Sequence, residues 1–257
     1  MANASDVCIV GAGPAGLQWA SILHATAVPY VVLEQTATAA AFMRMYPRGR
    51  RLISHNKCRV GEGRSDDFAL RHDWHSILEA NRSMCDFSRE YYPHADEYVE
   101  YLSAVASVLW VRYDTRVLAV EYGNGEDARH VLRTSRGVWS CTHVVLATGL
   151  TPLPPPIEWA PDAMTPSARS FSYADFPALD EATGEAPFCS NQQVAVIGAG
   201  NSAFEVAEML KSCASAVHLV SRVRRWALNP AGVRCPLSLP ASPRGRCNRC
   251  SPEVLRS

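Results

Sequence analysis

An α/β fold holding two dinucleotide-binding units is predicted by three stretches of this 257-residue chain. "VCIVGAGPAGLQWASIL" stands near the start, and "VAVIGAGNSAFEVAEML" repeats its pattern towards the end; each reads as strand, glycine turn and helix. Between them, "HVVLATGLTPLPPP" joins an apolar strand to small residues and a proline-rich exit.

The first unit opens on Val7, Cys8, Ile9 and Val10, a continuous apolar run of the kind a parallel strand shows when both its faces are covered. Gly11 allows a tight turn, Gly13 lets backbone approach a pyrophosphate, and Gly16 lets helix and strand pack closely, with Pro14 and Ala15 completing the phrase. Leu17, Ala20, Ile22 and Leu23 fit the apolar side of the helix, whose N-terminus offers N–H groups and positive dipole to phosphates. The next strand, "YVVLE", ends at Glu34, with Gln35 behind it. A carboxylate there accepts from ribose hydroxyls and favours an unphosphorylated ribose, meaning FAD or NAD rather than NADP. Strand, turn, helix and acid in register outweigh the alternative of glycines that merely serve a turn.

The second unit keeps Gly198 and Gly200, followed by Asn201 and Ser202, but carries Ala203 where the third glycine would stand, a replacement the fingerprint permits. Its following strand, "AVHLVSR", ends without an acid, and Ser221 and Arg222 occupy the place of Glu34, with Arg224 close behind. Hydroxyl and guanidinium suit a 2′-phosphate, so this unit reads as an NADPH site. The alternative is a surface basic cluster on a degenerate unit. Ala147, Thr148 and Gly149 in the middle segment are small enough for backbone to lie near a bound dinucleotide. The architecture is thus two Rossmann-type units, an FAD domain and a partial NADPH domain. The expected organisation is an FAD-binding domain over 1–155, a connector over 156–190, a partial NAD(P)H-binding domain over 191–225 and a Pro/Arg/Cys-rich tail without regular structure over 226–257.

Composition narrows the function classes. With 47% hydrophobic residues the chain can bury a sizeable core, and its formal charge of zero gives no reason to expect nucleic acid or an anionic membrane surface as partner. No apolar run reaches the length of a membrane span, and "MANASD" lacks the basic and apolar regions of a secretory signal. Nine scattered cysteines do not resemble a secreted disulfide framework, and mostly reduced, buried thiols are expected. "CNRC" in the tail, with Cys247 and Cys250, lacks the helix N-terminus a redox pair needs and the further ligands zinc needs. His72, Asp73 and His75 have no partner at metal-ligand spacing, so no metal site is expected.

The order GAGPAGLQ, YPR, RRLIS-x-NK, LRHDW, YYP-x-AD, ATGL, GAGNSAFE and VHLVSR resembles the FAD-dependent oxidoreductase domain-containing family. That is the group of the endoplasmic-reticulum flavoprotein associated with degradation, which looks like a branch of the flavin-containing monooxygenase superfamily. The resemblance implies that Asn56 lies next to the flavin ring, as the candidate catalytic residue, with Lys57, Arg71, His72 and Asp73 in the matching strings. It also implies that Arg48 lies near the FAD and that Val117 presents backbone to the adenine. The function implied is an FAD-dependent, NADPH-using oxidoreductase whose small-molecule or protein electron acceptor is unknown.

Two alternatives stay open: a flavin monooxygenase acting on a soft N or S nucleophile, and a truncated, non-catalytic flavoprotein fragment. The segment "SFSYADFP" lacks the histidine that monooxygenases carry after F-x-G, and beyond Arg225 the chain departs from the family pattern, which reads as a truncated or divergent C-terminus. The resemblance implies the endoplasmic-reticulum lumen; the chain as it stands, without signal peptide or retrieval signal, reads as cytoplasmic.

Overall fold

The structure, a computed structural model, describes residues 3–54, 56, 58, 75–78, 80–123, 129–149, 170–173, 176 and 188–221, and the backbone of 225–228 and 234–237. It divides into two units, Met1–Tyr46 with Arg50–Pro152, and Pro47–Gly49 with Leu153–Ser257.

The first unit is organised by β1 (Asn3–Val10), α1 (Pro14–Ala25) and β2 (Tyr30–Leu33), followed by a short α2 (Ala41–Met45) and the longer α3 (Ala95–Ala106). Strands β3 (Val111–Arg112), β4 (Val117–Glu121), β5 (His130–Thr134) and β6 (Gly137–Leu146) complete a six-stranded sheet of order β3-β2-β1-β6-β5-β4. The β3-β2-β1-β6 part is parallel, and β6-β5-β4 is an antiparallel meander.

The pleat explains why β1 and β2 are apolar throughout. Val7, Ile9, Tyr30 and Val32 pack against Leu17, Tyr98, Tyr101, Leu102 and Val105, whereas Cys8, Val31 and Leu33 pack on the other face with Leu132, Trp139 and Cys141 of the meander. Buried positions Tyr98, Val99, Tyr101, Leu102 and Val105 recur at helical spacing on α3. That helix starts with a capping box, in which the His94 ring accepts from Asp96 N–H and the Glu97 carboxylate accepts from His94 N–H at 2.8 Å.

The second unit contains β7 (Gln193–Ile197), α4 (Asn201–Leu210) and β8 (Ala216–Val220). The two strands pair in parallel from Gln193↔Ala216 to Ile197↔Val220, the pairing that a right-handed crossover through α4 allows. Its core is Phe176, Cys189 and Leu210, and Phe171, Phe176 and Phe188 meet edge to face. Within the stretch expected to lack regular structure, β9 (Arg225–Leu228) and β10 (Arg234–Leu237) pair antiparallel.

The expectation of mostly reduced thiols is corrected. Cys8–Cys141, Cys58–Cys85 and Cys189–Cys213 are disulfides, with Cα separations of 5.8, 5.4 and 5.7 Å that suit such bonds. Spacing in the sequence gave no sign of it, because the strands, turns and loops that bring these cysteines together are long-range. Cys247 and Cys250 lie outside the described residues.

Candidate functional site

The first glycine turn is held by its neighbours from three strands. Gly11 N–H donates to Leu33 O at 2.9 Å and Ala147 N–H to Val10 O at 2.9 Å, so the ends of β1, β2 and β6 meet at the turn. Gly11 has φ +105°, and a Cβ built on it would lie 2.5 Å from the Ala147 carbonyl oxygen. A Cβ on Gly16 would stand 1.9 Å from Gly11 O. Those two glycines are demanded by the protein's own packing. Gly13 differs, since a Cβ there would meet nothing within 4 Å. It caps α1 with extended backbone and no side-chain bond, and Pro14 follows at the first helical position. Open space before an uncapped helix N-terminus is what a pyrophosphate requires, so the turn fits a dinucleotide.

Glu34 is 6% exposed, and its carboxylate reaches back into the turn. Oε2 accepts from Ala12 N–H at 2.7 Å, while Oε1 accepts from the Thr36 N–H and the Thr36 hydroxyl, both at 2.8 Å. Each carboxylate oxygen can accept more than one bond, so ribose hydroxyls can still be received. The backbone around it is fixed by Glu34 N–H to Arg112 O at 2.9 Å and Thr115 N–H to Glu34 O at 2.7 Å. Burial, and then the Glu34 charge, push the Tyr113 phenol above its ordinary range.

Of the residues expected at this site, Gly11, Gly13, Pro14, Ala15, Gly16, Glu34 and Ala147 are gathered at the turn, with Thr148 and Gly149 continuing from Ala147. Gln35 points to solvent. Val117 begins β4 opposite Thr134, two residues beyond Thr115, with its side chain against the Cys8–Val31–Leu33 cluster. Thr36 and Thr115 were missed from sequence. The two-residue spacing of Glu34 and Thr36 was a usable signal for the first; Thr115 carried none.

Asn56 lies apart from the turn's own hydrogen bonds, in the segment held against residues 85–91. It is 7% exposed, its amide Nδ2 donates to Ser88 O at 2.7 Å, and its backbone N–H donates to Tyr91 O at 2.8 Å. Lys57, Arg71, His72 and Asp73 lie outside the described residues. His75 is buried with its ring edge-on to Tyr98.

The second turn repeats the first in its backbone. Gly198 N–H donates to Val220 O at 2.9 Å, the counterpart of Gly11 N–H to Leu33 O. Gly198 has φ +136°, Gly200 caps α4 with open space around it, and a Cβ on Gly198 would meet the Ala203 Cβ at an ordinary 3.7 Å. Helix and turn stand further apart here than in the first unit, which is why an alanine suffices at 203. Asn201 and Ser202 are exposed at the helix start, and Ser221 follows β8; Arg222 and Arg224 lie outside the described residues. Gly198→Ala is expected to destabilise this unit by about 1–3 kcal/mol through its positive φ. Limited proteolysis of the variant, read at the 188–221 segment, checks it; unchanged protection would exclude strain at this position.

Arg48, expected near the FAD, belongs to the second unit. Its backbone N–H donates to the Tyr173 hydroxyl at 3.1 Å and its guanidinium donates to Phe176 O, while the Tyr173 hydroxyl donates to Glu205 at 2.7 Å. Burial is the main cause that pushes Tyr173 up to about 12, with the Glu205 carboxylate adding to it, and burial raises Glu205 as well. The folded chain therefore keeps the Tyr173 proton from pH 10 to about 12, where the unfolded chain loses it, so stability falls as pH rises through that window. Tyr173→Phe is expected to flatten that alkaline decline, as read by chemical denaturation at stepped pH. An unchanged slope would place the decline elsewhere.

Two glycine turns of matching backbone, the first held by a buried acid and the second on a strand pair whose later strand is followed by Ser221, define a Rossmann-type protein with two dinucleotide-binding units. Residues 8–239 match the family model described as pyridine nucleotide-disulphide oxidoreductase, and the chain belongs to that family. It is 34% identical over 241 residues to the FAD-dependent oxidoreductase domain-containing protein 2 of Mus musculus, a match covering 88% of this chain and 34% of the relative. A probable indole-3-pyruvate monooxygenase of Arabidopsis thaliana is 25% identical over 222 residues, covering 83% of this chain and 46% of the relative. The chain thus spans about a third to a half of these relatives' lengths. Among solved structures, a flavin-containing monooxygenase from Stenotrophomonas maltophilia shares the fold, with a TM-score of 0.64, 23% identity, and coverage of 86% of this chain and 58% of that one.

Proposed function

We propose that this chain is an FAD-dependent, NADPH-using oxidoreductase. Its cofactors are FAD, at the turn of Gly11, Gly13 and Gly16, and NADPH, at the turn of Gly198 and Gly200. The observation that carries this reading is the difference between two turns of matching backbone: β2 runs into the buried Glu34, which suits an unphosphorylated ribose, and β8 runs into Ser221, which suits a 2′-phosphate. When bound, FAD would supply the redox chemistry and NADPH the reducing equivalents. The chain's own residues bind and orient. N–H groups at the start of α1 would receive the pyrophosphate, Glu34 would receive ribose hydroxyls, and by resemblance the buried Asn56 carboxamide would be the polar group beside the flavin ring.

The electron acceptor divides two readings. Transfer to a small molecule or protein is the first. Oxygenation of a soft N or S nucleophile is the second, and the monooxygenases among the relatives and structural neighbours support it. Three disulfides support an oxidising compartment, in keeping with the endoplasmic-reticulum lumen, and a role there in degradation is carried by the resemblance alone. Among the described residues no helix is long and apolar enough to cross a membrane.

The deciding experiment is the visible spectrum of the purified chain with FAD, before and after anaerobic NADPH, with NADH as control. Flavin bleached faster by NADPH is the expected result. A colourless protein that FAD does not reconstitute would overturn the reading in favour of a non-catalytic fragment. Substrate-dependent oxygen uptake with amines and thioethers would select the monooxygenase.

A further inference from the structure

The three disulfides differ in what surrounds them. Cys8 and Cys141 are wholly buried between β1 and β6, and Cys189 is wholly buried in the core of the second unit. Cys58 and Cys85 are both half-buried, so this pair is the least enclosed of the three. Exchange requires in-line approach of an attacking thiolate, which the other two pairs deny at one sulfur or both.

The surroundings of this pair also suit its opened form. Cys58 Sγ lies 3.5 Å from Ser88 O, and Cys85 Sγ lies 3.6 Å from Asn56 Oδ1. Each thiol produced by reduction therefore has an oxygen placed to accept a hydrogen bond from its S–H. Those acceptors are fixed by bonds that do not involve sulfur. Asn56 is held through Nδ2 to Ser88 O at 2.7 Å and through its backbone N–H to Tyr91 O at 2.8 Å. Cys85 sits in a 3-10 turn (Met84–Asp86) where its N–H donates to the Ser83 hydroxyl at 3.1 Å and Asp86 accepts from Ser83 N–H at 2.9 Å. Met84, fully buried, anchors the turn to the core of the first unit. The backbone of Asn56 and Cys85 is thus held by bonds independent of the disulfide, across which the Cα separation is 5.4 Å.

We propose that Cys58 and Cys85 form a reversible thiol–disulfide exchange site whose reaction partner is a small thiol or disulfide of the glutathione class. In the oxidising direction one cysteine loses its proton to solvent and attacks a sulfur of the small disulfide; a small thiolate leaves and is protonated. The second cysteine, likewise deprotonated, attacks the mixed disulfide, forming the Cys58–Cys85 bond and expelling a second small thiol. Two cysteine thiols are oxidised and one small disulfide is reduced to two thiols; reduction runs the same steps backwards. The state of the pair sets what Asn56 Oδ1 does. In the dithiol it accepts from Cys85, and in the disulfide it is released to accept from another donor. This proposal does not depend on flavin turnover.

The test equilibrates the full chain, without nucleotide, in buffers of stepped reduced-to-oxidised glutathione ratio, traps thiols by alkylation and reads each cysteine by peptide mass. Cys58 and Cys85 are expected to pass together from alkylated to disulfide-bonded within the series, while Cys8, Cys141, Cys189 and Cys213 stay bonded until denaturant is added. A pair that remains bonded at every ratio until denaturation, or whose two cysteines titrate independently, would overturn the site. Asn56→Ala removes the acceptor for the Cys85 thiol and should move the midpoint several-fold towards the disulfide; an unmoved midpoint would overturn the part given to Asn56. Cys85→Ser provides a second variant, expected to carry one glutathione on Cys58, and absence of that adduct in oxidised glutathione would count against exchange at this position.

Discussion

Gly16→Ala is expected to cost the chain both its flavin and about 1–3 kcal/mol or more of stability, whereas Gly13→Ala costs the flavin alone. The methyl group added at 16 would lie 1.9 Å from Gly11 O, a distance no side chain reaches, and both the obstacle and the new group are attached to backbone. Relief requires α1 to move away from the turn, which separates Leu17 and Ala20 from the core they fill and pulls the helix N-terminus out of position. The methyl added at 13 meets nothing within 4 Å, and φ at this residue is an ordinary −80°. Its effect appears only when a pyrophosphate approaches the same space. Thermal unfolding with and without FAD separates the two cases. Gly13→Ala should unfold with the parent when FAD is absent and lose the rise that FAD produces, as binding to the folded state alone requires. A Gly13→Ala chain that still gains stability from FAD would remove this turn from the flavin site.

Glu34→Gln is expected to lower stability by about 1–3 kcal/mol and to weaken FAD binding, although it changes few atoms. The carboxylate is met by three donors, Ala12 N–H and both donors of Thr36, within 2.8 Å. A carboxamide can turn its oxygen to only one side. Its NH2 group must then face either Ala12 N–H or the two Thr36 donors, and a buried donor loses its acceptor. Because Ala12 lies between Gly11 and Gly13, the loss is transmitted to the turn that receives the phosphates. Denaturant titration of the variant with and without FAD reads both effects. Parent-like stability would mean that water replaces the carboxylate and that the buried network does not order the turn.

Much of the candidate site was legible without coordinates because its requirements are local. A strand that must be apolar on both faces, a turn that needs positive φ and an acid one strand later all lie between Val7 and Glu34, and the β1–α1–β2 unit follows that reading. The repeat at Gly198 was legible for the same reason. The parallel pairing of β1 with β6, which brings the Ala147 carbonyl to within 2.5 Å of a Cβ on Gly11, joins residues far apart in the chain, so the small residues at 147–149 marked the segment but not its partner strand.

The amino-acid sequence by itself determined that this protein carries two glycine turns on strand–turn–helix units and that an acid closes the first and none the second, since backbone sterics and the two-residue pleat are written in adjacent positions. The tertiary structure alone decided which glycines serve packing and which leaves room for a ligand, placed Arg48 with Tyr173 and Glu205, set Asn56 beside Ser88 and Cys85, and joined six cysteines in pairs. Those outcomes depend on which distant segments come to share a core, and a pattern of neighbours along the chain does not contain that information.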